Sequence, residues 1–281
     1  MDIYTQVTDL KQALSRVRTN HSIGFVPTMG ALHEGHLSLI RSSLAQCDLT
    51  VVSIFVNPAQ FSPNEDLVIY PRPIESDTEM LASLNVDLLF TPTPNEIYPN
   101  DITRSTNVTL PHYSTRYCGQ SRPHFFGGIT TVVCRLFNLI QPHYAFFGEK
   151  DFQQAFIVKR MVSDLFIPVD IVVCPIIREK SGLAMSSRNR YLSETKKKDA
   201  AALYKALQLG RKLFSEGCFD PTFLIQSMKN DLSKTPIQLD YLTIINPDTL
   251  EPVTRCREAD RILIGAWLEQ TRLIDTVVLG T

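Results

Sequence analysis

Short apolar runs that alternate with helix-spaced segments constrain this chain more than any other feature. Across roughly the first 175 residues the runs are Ile23–Val26, Thr50–Val56, Asp87–Phe90, Tyr144–Phe147 and Val169–Val173. Between them apolar residues recur nearer every 3.6 positions, as at Leu37, Ile40 and Leu44, or at Phe152, Phe156, Val162 and Leu165. Strands apolar on both faces and separated by helices predict a parallel sheet covered on both sides. The fold class is therefore α/β, with a doubly wound parallel sheet that takes ligands at the carboxyl ends of its strands. The loop Pro92–Asn100 holds Pro92, Pro94 and Pro99 and is expected to cross the surface.

After about Ile177 the pattern changes. One long amphipathic helix is expected over Glu194–Glu216 and a second over Pro221–Leu232. The β-rich runs Leu239–Ile245, Arg261–Leu268 and Leu273–Leu279 follow, with a turn signal at Asn246-Pro247-Asp248. Helices followed by strands able to pair antiparallel predict a smaller C-terminal α+β domain. The expected division is 1–176 and 177–281. The run Lys196–Lys198 reads as a solvated helix face.

Composition removes several function classes. With 281 residues, 44% hydrophobic and 20% charged, the chain can bury a large core and is not a disordered one. A net charge of −1 argues against a nucleic-acid binder driven by bulk electrostatics. No apolar stretch is long enough to span a membrane, and the N-terminus, with Asp2, Asp9 and Lys11, has no secretory h-region. The six cysteines are scattered without a Cys-x-x-Cys pair, which reads as reduced thiols in a cytoplasmic protein and gives no zinc pattern.

The chemistry concentrates in residues 27–36, Pro-Thr-Met-Gly-Ala-Leu-His-Glu-Gly-His, where the first apolar run hands over to a helix. His33 and His36 are three apart and so share a helix face. A helix start carries unpaired N–H groups and partial positive charge, which favour an anion. Gly30 and Gly35 allow close backbone approach. The pair could hold phosphate oxygens during phosphoryl transfer; a capping histidine beside a core histidine is the plain structural alternative.

Three further clusters accompany it. Phe147-Gly148-Glu149-Lys150-Asp151-Phe152-Gln153-Gln154 again leads from strand to helix; Gly148 would permit a sharp turn and Lys150 offers a point charge. Asp151 with Gln154 makes a capping-box-like arrangement, a use compatible with function. Gly182-Leu183-Ala184-Met185-Ser186-Ser187-Arg188-Asn189 combines hydroxyls with a guanidinium able to wrap a triphosphate, or forms an ordinary loop. Val56-Asn57-Pro58-Ala59-Gln60-Phe61 places amide groups after the second strand, suited to a small polar substrate or to a turn. No Gly-x-Gly-x-x-Gly fingerprint, Lys-type phosphate loop or Gly-x-Ser-x-Gly elbow is present.

Taken in order, these clusters resemble the pantothenate synthetase (pantoate–β-alanine ligase) family almost end to end. The likeness includes Val52–Pro58, Glu65-Asp66-Leu67 with Tyr70-Pro71-Arg72, and Glu96-Ile97-Tyr98-Pro99. It continues through Arg135–Asn138, Ala266-Trp267-Leu268 and Arg272–Asp275. His-x-Gly-His alone is shared with other nucleotidyltransferases, so another such enzyme, or a silent nucleotide-binding module, is the alternative.

The resemblance implies an ATP-dependent ligation of pantoate to β-alanine through pantoyl adenylate, releasing pyrophosphate and AMP. It implies a Rossmann-like domain, a smaller C-terminal lid, a homodimer, and Mg²⁺ accompanying ATP, with no metal ligand nameable. ATP would be held by Met29, Gly30, Ala31, Leu32, His33, Glu34, Gly35 and His36. Gly148, Glu149, Lys150 and Asp151 would join them, with Ile177, Met185, Ser186, Ser187 and Arg188. His36 would be the proton donor, with His33, Lys150 and Arg188 as its catalytic partners. Gln60, Gln154 and Asn57 would bind substrate, Gln60 touching both pantoate and β-alanine. One segment departs: where the family usually shows Arg-Pro-Gly-His-Phe-Arg-Gly-Val, this chain has Arg122-Pro123-His124-Phe125-Phe126-Gly127-Gly128-Ile129.

Overall fold

A computed structural model describes residues 1–62 and 65–280. The chain divides into two compact units, Met1–Gly148 with Gln154–Pro175, and Glu149–Gln153 with Ile176–Thr281.

The first unit is built on a six-stranded parallel sheet. Its strands are β1 (Asp2–Tyr4), β2 (Ile23–Thr28), β3 (Leu49–Ile54), β4 (Leu88–Phe90), β5 (Tyr144–Gly148) and β6 (Asp170–Cys174), in the order β1-β4-β3-β2-β5-β6. The apolar runs read from sequence form β2 to β6; β1 is too short and too polar to show as a run, and it sits at the sheet edge. The helices are α1 (Val7–Val17), α2 (Glu34–Gln46), α3 (Ile74–Ser83), α4 (Pro94–Ile97), α5 (Pro111–Ser114), α6 (Cys118–Ser121), α7 (Phe125–Ile140) and α8 (Phe152–Asp164). Val26, Val52, Leu89 and Phe146 pack beneath Leu39, Ile40 and Leu81 of α2 and α3.

Strand order reverses at β2, which has β3 on one side and β5 on the other. β2 stays in register with β3 from Ile23 to Thr28 but pairs with β5 only at Gly24 and Phe25. Beyond Phe25 the β2–β5 edge carries no ladder, at the switch point beyond whose carboxyl ends doubly wound sheets bind ligands.

The segment Pro92–Asn100 differs from the sequence expectation. It contains α4, and Ile97 and Tyr98 are only 3% and 4% exposed. The prolines shape the segment, but its apolar side chains turn inward.

The second unit holds α9 (Glu194–Ala200), α10 (Ala202–Ser215), α11 (Pro221–Leu232) and an antiparallel sheet of β7 (Gln238–Ile245), β8 (Arg261–Leu268) and β9 (Thr271–Val278). The helix expected over Glu194–Glu216 is thus two helices, meeting at Ala201. Ser193 caps the first of them through Lys196 N–H. Within the lysine run, Lys196 pairs with Glu269 and Lys197 with Glu194. Ala206, Leu207, Leu224 and Met228 pack on Ile262, Ile264 and Ala266 as a second core.

Candidate active site

The loop after β2 is pinned from several directions. Thr28 Oγ1 donates to Ser53 O at 2.7 Å and accepts from Gly30 N–H at 3.2 Å. Gly30 has φ of 78°, and a Cβ there would stand 2.9 Å from Ile54 Cγ2, so glycine is required. Ala31, at φ of 51°, continues the left-handed turn. Asp77 of α3, 1% exposed, accepts from Ala31 N–H at 2.7 Å and Leu32 N–H at 2.8 Å. Those successive N–H groups bind an internal carboxylate that fixes the approach to α2.

His33 is the N-cap of α2, its Nδ1 accepting from Gly35 N–H at 3.1 Å. That bond requires an unprotonated Nδ1, so the neutral ring carries its proton on Nε2 as a donor. The ring of His36 lies 4.0 Å from that of His33, centroid to centroid, with 32° between planes. The capping alternative is therefore realised by His33 without removing it from the pair. The Glu34 side chain faces solvent and pairs with Arg41. A cavity of about 510 Å³, sized for a small molecule, lies beside the loop and is bordered by Met29, Gly30, Phe55, Pro58, Arg72 and Asp77.

After β3, Asn57 caps the 3₁₀ turn Pro58–Gln60, whose last residue is Gln60. Asn57 Oδ1 accepts from Ala59 N–H at 3.2 Å and Tyr98 O–H at 2.9 Å. Its Nδ2 donates to Gly128 O at 3.1 Å and Gln60 Oε1 at 3.3 Å. At 1% exposure, Asn57 uses its amide to organise the turn. Gln60 Nε2 lies 2.6 Å from Met29 Sδ, joining the two loops. Gly128 of α7 lets the helix meet this turn: a Cβ would stand 2.3 Å from Ala59 O. Arg122 donates to both Glu65 oxygens at 2.7 and 2.6 Å and to Gln60 O at 3.3 Å. His124 is exposed at the N-cap of α7 and makes no side-chain cap bond.

The remaining first-unit residue, Gln154 on α8, is half-buried. Gly148 ends β5 without a positive φ, and nothing lies within 4 Å of the Cβ it lacks. The passage from β5 into the 3₁₀ turn Glu149–Asp151 needs no left-handed backbone here, and what the glycine leaves is open space.

Glu149, Lys150, Asp151, Ile177, Met185, Ser186, Ser187 and Arg188 belong to the second unit, the histidine pair to the first. Arg261 of β8, stacked over Phe152 at 4.4 Å, donates to Glu149 at 2.6 Å. Lys150 Nζ stands 3.2 Å from Asp151 Oδ1. Ile177 and Met185 close a loop through Met185 N–H to Ile177 O at 3.0 Å. Arg178 anchors it with a two-bond pair to Asp275 of β9 at 2.6 and 2.9 Å. Ser186 then caps the 3₁₀ turn Ser187–Tyr191, which carries Arg188.

Among the described residues no group of three His, Cys, Asp or Glu side chains could hold a metal ion, and no helix is long and apolar enough to cross a membrane.

The family model described as pantoate–β-alanine ligase matches residues 2–278. The chain belongs to the pantoate–β-alanine ligase family. It is 46% identical to the pantothenate synthetase of Thermotoga neapolitana over the full length of both chains. To a bifunctional pantoate ligase/cytidylate kinase of Thermosynechococcus vestitus it is 45% identical over 98% of its own length, spanning about half (54%) of that longer protein. The crystal structure of pantothenate synthetase from Thermus thermophilus matches at TM-score 0.95 with 40% identity over all of both chains. The Francisella tularensis ligase, complexed with β-γ ATP and β-alanine, matches at TM-score 0.85 with 34% identity, covering 100% of this chain and 98% of that one.

Within this ligase fold, the sequence patterns assigned no role to Asp77, Tyr98 or Gly128. The adjacent glycines Gly127 and Gly128 were a readable signal, because glycine in an otherwise apolar helical pattern marks a close approach. Asp77 and Tyr98 act across sequence distance, and no local pattern reports that.

Proposed function

We propose that the protein makes pantothenate in two steps at the loop carrying His33 and His36. A pantoate carboxylate oxygen attacks the α-phosphorus of ATP; a P–O bond forms, pyrophosphate leaves, and pantoyl adenylate results. The β-alanine amine then attacks the activated carbonyl. The C–O bond to AMP breaks, the amide forms, and the amine gives up a proton.

The observation that carries this reading is the His33–His36 pair, with rings 4.0 Å apart at the start of α2, in a chain matching the ligase family from residue 2 to 278. ATP lies against Met29, Gly30, Ala31, Leu32, Glu34 and Gly35. His33, whose cap bond leaves Nε2–H as donor, and His36 hold phosphate oxygens as charge moves from the α-phosphate to the leaving group. His36 serves as proton donor. Gly148, Glu149, Lys150, Asp151, Ile177, Met185, Ser186, Ser187 and Arg188 contribute to nucleotide binding, with Lys150 and Arg188 supplying positive charge. Gln60 and Gln154 grip pantoate, Gln60 also meets β-alanine, and Asn57 supports them. The β-γ ATP and β-alanine bound by the Francisella tularensis relative support this substrate set.

Mg²⁺ enters as part of the MgATP substrate. The described residues offer no three-residue metal cluster, and an ion carried by phosphates and water needs none. We further propose a cytoplasmic homodimer, supported by family membership; light scattering should then read twice 31.8 kDa.

The test is purified protein with ATP, Mg²⁺ and pantoate. Pyrophosphate should form only with pantoate present, and β-alanine should then release AMP and pantothenate. Pantoate-independent pyrophosphate would reject the assignment.

A further inference from the structure

The buried network behind Gln60 has a direction. Asn57 Oδ1 faces Ala59 N–H, which can only donate, and Asn57 Nδ2 faces Gly128 C=O, which can only accept. These fixed groups set the Asn57 amide, and Tyr98 O–H, 2.9 Å away, donates a second bond to Oδ1. Asn57 Nδ2 then meets Gln60 Oε1 at 3.3 Å. The Gln60 oxygen is occupied from behind, and its NH₂ group turns toward Met29 Sδ, a weak acceptor that a ligand oxygen outcompetes.

We propose that Tyr98 is a positioning residue: through Asn57 it locks the Gln60 amide with its NH₂ group toward the substrate, so that Gln60 selects a hydrogen-bond acceptor. This rests on the assignment of Gln60 to pantoate, and it makes the pantoate atom at Gln60 a carboxylate or hydroxyl oxygen.

Tyr98, Asn57 and Gln60 are 4%, 1% and 8% exposed, so water cannot readily replace a missing partner. Burial pushes the Tyr98 phenol up to about 12, against the opposing pull of Arg135, so the hydroxyl remains a neutral donor at working pH. Arg135, with Cζ 4.7 Å from the Tyr98 ring centroid, holds the ring itself.

The experiment compares Tyr98→Phe, Asn57→Asp and Gln60→Ala in the full-length enzyme. Tyr98→Phe keeps the ring under Arg135 and removes only the hydroxyl. Its pantoate KM should rise about tenfold, with ATP KM and kcat within about twofold. Asn57→Asp cannot donate to Gln60 Oε1, so its pantoate KM should rise further, on the order of a hundredfold. If Tyr98→Phe does not fold, Asn57→Asp carries the same test. A pantoate KM within about twofold of the parent in both variants overturns the lock, as does an equal change in all three constants, which would mean a general structural role. Loss of pantoate affinity in Gln60→Ala, with none in the other two, overturns the lock alone. An unchanged pantoate KM in Gln60→Ala removes the underlying assignment and the lock with it.

Discussion

The guanidinium of Arg122 stacks on the ring of Phe125, with Cζ 3.6 Å from its centroid. Phe125 lies in the Arg122–Ile129 segment, where the chain departs from the pattern the family resemblance implies. Arg122 is 7% exposed, its charge is met by Glu65, and it also reaches the Gln60 carbonyl. The departure thus joins a clamp behind Gln60, while His124 stays outside.

Phe125→Leu should retain most apolar burial and lose the cation–π contact, costing about 1 kcal/mol. Arg122→Ala should cost more, on the order of 2 kcal/mol, because Glu65 loses a charged partner in a mostly enclosed position. Urea unfolding gives both values. A smaller effect for Arg122→Ala than for Phe125→Leu would contradict the clamp.

Asp77 is the carboxylate that ties the Met29–His33 loop to α3. Asp77→Ala would remove the carboxylate to which the Ala31 and Leu32 N–H groups donate, at about 1–3 kcal/mol. Asp77→Asn keeps one acceptor and should retain part of that stability. Both variants should raise ATP KM, since the loop leads into the helix start bearing His33 and His36. Unfolding and steady-state kinetics on the pair read the two effects separately.

Much of this was legible beforehand. The sheet could be read because strands apolar on both faces stand out from helical periodicity, as at Ile23–Val26 and Tyr144–Phe147. The histidine pair was equally visible, its geometry following from a three-residue spacing on one helix. What escaped was non-local. Asp77 stabilises N–H groups more than forty positions away, and Tyr98 reaches Asn57 across 41 positions. The three prolines between Thr91 and Asn100 hid an inward-facing segment, because burial there depends on tertiary packing. Ala201 breaks the Glu194–Glu216 pattern into two helices although alanine itself favours helix, so propensity gave no warning.

Gly128→Ala should act out of proportion to a single methyl group. The added Cβ would meet Ala59 O at 2.3 Å and Gln60 N at 2.7 Å, both backbone atoms. Overpacking of this kind costs about 1–3 kcal/mol. Because the displaced element is the Gln60 turn, kcat/KM for pantoate should fall at least tenfold while ATP KM stays near the parent value. Equal effects on both substrates would argue for general misfolding.

The pH dependence of Tyr98 has a definite sign. Its folded-state value near 12 lies above the ordinary 10.0, so folding favours the neutral phenol. That contribution is complete below about pH 10 and is lost as pH rises toward 12. The stability difference between the parent and Tyr98→Phe should therefore stay constant from about pH 6 to about pH 9 and shrink above that range. A difference that changes near neutral pH would mean that another titrating group holds Asn57.

His36→Ala should lower the rate of adenylate formation by roughly 10²–10³-fold, the usual cost of one charge-stabilising donor. A rate within threefold of the parent would remove that role from His36.

The most direct measurement uses pantoate labelled with ¹⁸O in its carboxylate, turned over with ATP and β-alanine. Attack of that carboxylate on the α-phosphorus, followed by cleavage of the acyl C–O bond, should deliver one labelled oxygen to each AMP and none to pyrophosphate. Unlabelled AMP from a reaction that still makes pantothenate would contradict the adenylate route.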